Sequence, residues 1–186
     1  MRASGIFNLQ PYHIDYSIPP MQALRKLPEM FPAEVIDNKL YVSDQPTSYH
    51  QQICGCLSNA LYNYVKKEKL GDVWLGPIGV FLKGLEKSVV SPDIVFVSKK
   101  NSLRVERKGL VGAPDLVIEI VSPGNRKYDF TTKKSLYERA GVKEYWLVDP
   151  ETREATGFLM KKGVYGAPLI MKSKIFVRTL NKTIKF

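Results

Sequence analysis

Apolar residues recur every three or four positions in residues 48–69, which is the spacing of one face of an α-helix. The apolar stripe consists of Ile53, Leu57, Leu61 and Tyr64. Ser48 is followed three residues later by Gln51, a spacing typical of a capping box at a helix start. The pattern therefore predicts a long amphipathic helix that begins near Ser48 and ends near Lys69.

After Gly71 the pattern changes from helical to extended. Three apolar segments follow, each bounded by Gly, Pro, Ser or Asn, and they cover residues 72–84, 88–101 and 113–123. A second helical pattern from Asp129 to Ala140 is stopped by Gly141. The apolar run from Tyr145 to Val148 then predicts a fourth core strand. The predicted order is helix, three strands, helix, strand, in an α/β fold.

Two β-hairpins are predicted outside this core. Residues 33–44 contain two short apolar stretches on either side of a plausible Asp37-Asn38 turn, so they predict an N-terminal hairpin. Residues 153–160 and 167–177 alternate enough to predict a C-terminal hairpin with Lys161 and Lys162 in its turn. Residues 1–30 lack periodicity and are interpreted as an irregular arm. Residues 31–186 are predicted to form one domain, with its core at about 45–150.

The composition indicates which classes of molecule the protein binds. Lys and Arg number 28 against 18 Asp and Glu, so the net charge is +10, which favours nucleic acid over an anionic membrane surface. No apolar stretch is long enough for a signal peptide core or a membrane span, so we expect a cytoplasmic protein. Cys54 and Cys56 lie two positions apart on the predicted helix, where side chains diverge. Neither a disulfide nor a shared zinc ion is expected there.

One carboxylate lies inside an apolar strand. Glu119 is flanked by Ile118 and Ile120 in a run that reads as buried, and a buried Glu needs a compensating partner. Strand alternation places Asp115 on the same face as Glu119. Asp93 likewise enters an apolar run directly after Pro92. Because hard divalent cations prefer carboxylate oxygens, Asp93, Asp115 and Glu119 are predicted to bind Mg²⁺, for which Mn²⁺ can substitute.

A simpler interpretation exists for each candidate residue. Asp115 would be a solvated residue at the start of the strand, and Glu119 would pair with a core Lys or Arg. His50 would be a core or edge histidine on the apolar stripe of the first helix. Lys133 would form an ordinary i,i+4 pair with Asp129 on a solvated helix face, which contributes roughly 0.2–0.5 kcal/mol.

A family resemblance is carried by the segments SPDIVFV with Asp93, PDLVIEIVSP with Asp115 and Glu119, and KKSLYERAGVKEYWLVDP. Together with the element order they resemble the PD-(D/E)XK nuclease superfamily. More closely, they are similar to a bacterial family of restriction endonucleases formerly catalogued as a domain of unknown function. The likeness covers about residues 30–155 and implies a restriction-endonuclease-like core. It also implies secondary site positions, which here are Glu34, His50, Asp129 and Tyr137.

The chain departs from the superfamily pattern at one position. The lysine that usually follows the acid by two positions is replaced by Val121. Relatives often supply this lysine from the next helix, and Lys133 stands where the motif has one. The resemblance therefore implies that Lys133 is the displaced catalytic lysine, next to Asp93, Asp115 and Glu119.

These observations predict a Mg²⁺-dependent endonuclease that hydrolyses DNA phosphodiester bonds, with a homodimer implied by the resemblance alone. The alternative is a catalytically silent domain for nucleic-acid binding or assembly that retains the nuclease fold, which Val121 favours. A carboxylate hydrolase of small substrates is less favoured, because the sequence has no nucleophile elbow, Walker or dinucleotide motif.

Overall fold

A computed structural model describes residues 14–28, 31–122 and 124–186 of the chain. The predicted arm, residues 1–30, falls mostly outside these ranges. Within it, residues 20–26 form a two-turn helix rather than irregular structure, started by Pro20 at its first position, where the missing N–H is not needed. No helix of the described ranges is long and apolar enough to cross a membrane.

The described residues form helices and many short strands. The helices are α1 Pro20–Lys26, α2 Ser48–Lys67, α3 Arg126–Tyr128 and α4 Lys134–Ala140, and the π-helical turn Asp129–Lys133 joins α3 to α4. The strands are β1 Ala33–Ile36, β2 Lys39–Val42, β3 Gly71–Leu75, β4 Val80–Phe81, β5 Val89–Val90, β6 Ile94–Ser98, β7 Arg104–Glu106, β8 Gly109–Val111, β9 Leu116–Ile120, β10 Glu144–Val148, β11 Glu154–Lys161, β12 Val164–Tyr165, β13 Leu169–Lys172, β14 Lys174–Val177 and β15 Lys182–Lys185.

The larger sheet has the order β12–β11–β10–β9–β6–β3, with β13 paired to β11. Its central strand β9 is buried along its whole length. Leu116, Ile118 and Ile120 pack on the side of α2 and the β14–β15 hairpin, in one core cluster. Val117 and Val121 belong to a second cluster with residues of α4. The predicted alternation along this strand, with Glu119 on the Val117 face, is thus confirmed.

A second sheet has the order β2–β1–β5–β4–β8–β7. Sequence analysis missed it, because two of the predicted strands are each divided between the two sheets. Pro77 follows β3 and Pro92 precedes β6, and a proline cannot donate to a ladder, so each extended segment breaks there. The short halves β4 and β5 join the second sheet instead, and the hairpin β7–β8 completes it.

The predicted order of helix, three strands, helix and strand is confirmed as α2, then β3, β6 and β9, then α3 to α4, then β10. The N-terminal hairpin is confirmed as β1 and β2, turned by Asp37 and Asn38, both with positive φ. The C-terminal addition is larger than predicted. Strand β11 pairs with both β12 and β13, and β14 and β15 form a further hairpin that sequence analysis missed.

Candidate active site

The register of two strands brings two predicted site acids together. Ile94 of β6 lies opposite Ile118 of β9 in antiparallel pairing, so Asp93, one residue before β6, falls opposite Glu119. The backbone N–H of Ile120 donates to Asp93 Oδ2 at 2.7 Å, which fixes the aspartate carboxylate beside the end of β9. Asp93 and Glu119 both line one cleft.

The same register excludes Asp115 from the site, contrary to the sequence prediction. Asp115 precedes β9 at the end opposite Glu119, four residues or about 13 Å away along the strand. Its carboxylate accepts bonds from Ser98 N at 2.7 Å and Asn101 Nδ2 at 2.9 Å. It also pairs with Lys143 Nζ at 2.5 Å. These donors hold the pKa of Asp115 below its usual range despite burial. Asp115 is therefore a fully paired structural carboxylate.

Lys133 lies between two buried acids. Its Nζ is 2.9 Å from Glu119 Oε1 and 3.0 Å from Glu34 Oε1, and its side chain is 8% exposed. Asp129 Oδ1 lies farther away, at 4.0 Å from the same nitrogen. The helix face that carries Asp129, Lys133 and Tyr137 thus points at the acids, and the solvated-face interpretation of Lys133 is wrong.

The π-helical turn explains how both Asp129 and Lys133 reach the cleft. A π turn accommodates an extra residue, and such turns occur often at functional sites. Here it spans Asp129 to Lys133, and both of these residues are buried. Tyr145 OH donates to the carbonyl of Asp129 at 3.1 Å, which anchors the start of the turn to β10.

Two tyrosines support the acids. Tyr137 OH donates to Glu119 Oε1 at 2.8 Å, and burial beside Glu119 raises the pKa of Tyr137, so its proton is retained. Tyr128 OH lies 3.4 Å from Glu34 Oε2, and its ring centroid lies 5.8 Å from Lys133 Nζ. Sequence analysis missed Tyr128, since no spacing links it to Glu34, which lies 94 positions earlier.

Glu34 reaches the cleft from the second sheet. It belongs to β1, and its Oε1 accepts a hydrogen bond at 2.7 Å from the backbone N–H of Ser91, two residues before Asp93. His50 reaches the cleft from the first turn of α2, with Nε2 3.2 Å from Asp93 Oδ2. The nitrogen His50 Nδ1 is buried and has no hydrogen-bond partner among the described residues. Of these two secondary positions, Glu34 therefore contacts Lys133 and His50 contacts Asp93.

The cleft is strongly acidic. It has a volume of about 410 Å³. Its charged lining residues are Glu34, Asp44, Asp93, Glu119, Asp129, Lys133 and Glu151. Burial, together with Asp93, Glu34 and Asp129, raises the pKa of Glu119 to about 8 even though Lys133 opposes the shift. Burial and the neighbouring acids raise the pKa of Asp129 to about 6.

The balance of charges in the cleft favours a hard divalent cation. Six carboxylates share the cleft with one ammonium group, so negative charge is in excess. In residues 14–28, 31–122 and 124–186, no three His, Cys, Asp or Glu side chains converge as a complete ligand set. Mg²⁺ commonly needs only one or two carboxylates and completes its shell with water and substrate phosphate. Asp93 and Glu119 match that requirement.

Comparisons with known proteins identify the family and the fold of the chain. The sequence model of the family Uma2, described as "Putative restriction endonuclease", matches residues 21–174. A crystal structure from Anabaena variabilis ATCC 29413, described as a putative nuclease belonging to DUF820, is similar in fold with a TM-score of 0.71. It is 20% identical, and the match covers 88% of this chain and 91% of that chain. None of the curated proteins compared with the chain matches it.

Proposed function

Because the chain belongs to the Uma2 family, whose fold is restriction-endonuclease-like, we propose that it is a Mg²⁺-dependent endonuclease that hydrolyses DNA phosphodiester bonds. The observation that carries the proposal is the buried Lys133 held between Glu119 and Glu34, beside Asp93. Burying three acids, Glu34, Glu119 and Asp129, together with Lys133 costs stability, and such clusters are concentrated at catalytic sites.

Asp93 and Glu119 are the proposed ligands of Mg²⁺, with Mn²⁺ as a substitute. When bound, the cation would acidify a water molecule and neutralise charge on the scissile phosphate. The chain itself prepares both ligands. Ile120 N–H orients Asp93, and Tyr137 OH orients Glu119.

Lys133 is the proposed catalytic lysine. An ammonium group has three N–H donors, and two are directed at Glu119 and Glu34. The third has no hydrogen-bond partner in the part of the chain that the structure describes and can donate to a non-bridging phosphate oxygen, where negative charge grows as water attacks phosphorus and the P–O bond to the leaving oxygen breaks. Burial alone would lower the pKa of Lys133, but Glu119, Glu34 and Asp129 raise it and keep the lysine protonated.

A second candidate function is a silent nucleic-acid-binding domain with the same fold. It is favoured by Val121, which occupies the usual lysine position, is 3% exposed and packs in the core. It leaves the buried acids unexplained, because binding a polyanion gains nothing from an acidic cleft.

Cleavage of plasmid and single-stranded DNA with Mg²⁺ or Mn²⁺ separates the two functions. The nuclease proposal expects cutting by the wild type, and loss of cutting in Glu119→Gln and in Lys133→Ala. Asp72→Asn, which changes an exposed carboxylate away from the cleft, is the matched control and should cut normally. Wild-type protein that binds DNA in a salt-sensitive way and never cuts it would favour the silent domain.

We also propose a homodimer, because cutting both strands of a duplex commonly uses two sites. Sedimentation velocity at micromolar concentrations, with and without DNA, should show a species of twice the chain mass of 21.1 kDa. Monomer alone under all these conditions would remove the proposal.

A further inference from the structure

The last part of the chain concentrates positive charge. Residues 155–186 contain no Asp or Glu, and their basic residues are Lys161, Lys162, Lys172, Lys174, Arg178, Lys182 and Lys185. All of these side chains are exposed. Lys172 lies opposite Glu154 in the sheet. Lys174, Arg178, Lys182 and Lys185 belong to the β14–β15 hairpin and its turn, here called the basic hairpin, and form no ion pair within the described ranges.

The strand register of the basic hairpin opposes like charges. Lys174 lies directly across from Lys185. Directly opposed residues of antiparallel strands have Cβ atoms about 4.5–5.5 Å apart, and like charges at that distance destabilise the pair. The next outward pair is Phe176 with Thr183, which places an aromatic ring that is partly exposed beside the two lysines. Repulsion between the two lysines destabilises the hairpin, and an anionic partner bound beside them would reduce this repulsion.

The hairpin is held rigidly against the core. Glu144 is buried in β10, and its carboxylate accepts the backbone N–H groups of Arg178, at 2.9 Å, and of Thr179. Lys182 Nζ lies 4.8 Å above the ring of Tyr64 on α2. The backbone of the turn is thus anchored to β10, which fixes the position of the basic hairpin on the core.

The start of the basic hairpin is hydrogen-bonded to the turn that lines the acidic cleft. Pro150 and Glu151 line the cleft, in the turn that connects β10 to β11. Arg153 in the same turn is exposed, and its carbonyl accepts a hydrogen bond from Ser173 N at 2.8 Å. Ser173 directly precedes Lys174, so the hairpin cations begin beside the rim of the cleft.

The cleft itself offers little to hold a polyanion. Lys133 is the one Lys or Arg among its described lining residues, and it is engaged by two carboxylates. We infer that Arg153, Lys174 and Lys185 bind the phosphate backbone of a nucleic-acid strand whose flanking segment enters the cleft. The choice of nucleic acid rests on the proposed nuclease function, whereas binding itself requires neither metal nor cleavage.

Fluorescence anisotropy with a labelled single strand and a labelled duplex in EDTA tests the inference. Lys174→Gln/Lys185→Gln should weaken binding about five- to twentyfold at low salt. It should also lower the slope of log affinity against log salt by about 1.4 for single-stranded DNA and about 1.8 for duplex. Lys99→Gln/Lys100→Gln removes the same charge from the exposed turn after β6, and should change binding less than half as much. The melting temperature of the hairpin variant should not fall, because a Lys–Lys repulsion is removed.

The outcomes distinguish this surface from the active site. Normal metal-dependent cutting at low salt with weakened binding supports the inference, and so does weakened binding by a protein that never cuts. Equal loss of affinity in both double variants, or no DNA binding by the wild type, overturns it. Binding to vesicles of anionic lipid that depends on Lys174 and Lys185, with DNA binding unchanged, overturns it in favour of a membrane surface.

Discussion

Lys133 Nζ lies 2.9 Å from Glu119 Oε1, although the two residues come from different elements that only the folded sheet brings together. The pair is almost completely buried and is shared with Glu34. Its stability and its chemistry are therefore coupled, because any change that removes the ammonium leaves two carboxylates without a cation.

Lys133→Met is expected to destabilise the metal-free protein. Removal of one partner of a buried ion pair typically lowers the free energy of unfolding by roughly 3–5 kcal/mol, because the remaining charge is buried and uncompensated. Urea denaturation in EDTA measures the change. Lys66→Met, which removes an exposed ammonium paired with Asp72, is the control and should change stability little. Equal stability of the two variants would contradict the geometry at Lys133.

Asp115→Asn should affect folding and leave the chemistry intact. The carboxylate accepts charge-assisted bonds, and weakening them should lower the free energy of unfolding by about 1.5–3 kcal/mol. The pKa of Asp115 is lowered in the folded state, so its contribution to stability is present above its ordinary pKa of 3.8 and is lost as pH falls below that value. Denaturant titrations at several pH values measure this. Metal-dependent cutting that disappears in the folded variant would return Asp115 to the site.

Metal binding should tighten as pH rises towards 8. Burial raises the pKa of Glu119 from its ordinary value of 4.5 to about 8, so the metal-free cleft retains a proton that a cation must displace. The same raised pKa means that the metal-free protein loses stability as pH rises from about 4.5 to about 8. Isothermal titration of Mg²⁺ at pH 6, 7 and 8 in buffers of different ionisation enthalpy measures affinity and proton release. Identical affinity at all three values would refute the prediction, and Glu119→Gln should abolish the dependence.

Cys54 should resist alkylation while Cys56 reacts. Burial and the charges of Asp93 and Glu119 raise the pKa of Cys54 to about 12, whereas Cys56 is exposed on the same helix. Since the thiolate is the reactive form, iodoacetamide at pH 8 should label Cys54→Ala readily and Cys56→Ala slowly. Mass spectrometry after timed quenching gives both rates. Comparable rates in the two variants would show that the acidic cleft does not extend to Cys54.

Most of the charged residues that line the cleft were singled out from the sequence, whereas their spatial grouping was not predictable. Alternation along β9 correctly placed Glu119 on the Val117 face, because period two is a property of the strand itself. The same alternation could not tell which end of the strand faces Asp93, since that depends on the antiparallel register with β6. Asp115 was therefore grouped with Asp93 and Glu119, although it lies at the other end of the strand.

Contacts between residues far apart in the sequence could not be predicted either, because they also depend on how the strands pair. Glu34 and Tyr128 meet across two sheets and 94 positions of sequence. The basic hairpin was also missed, because residues 167–177 were predicted as one strand, whereas Ser173 has a positive φ and divides them into β13 and β14. Helical spacing, in contrast, predicted that Asp129, Lys133 and Tyr137 share one side, and this pattern is local.

The π-helical turn restricts how the length of the chain can change. Each residue of a helix advances the side chains by about 100°, so deleting one residue between Asp129 and Lys133 would regularise the helix and rotate its two halves against each other. Lys133 would then leave Glu119, or Asp129 would turn away from the cleft. We expect point substitutions at the exposed Thr131 to be accepted, whereas a single deletion there should abolish the site without disturbing the sheets. The number of residues in this turn therefore determines the geometry of the cleft as much as their chemical identity does.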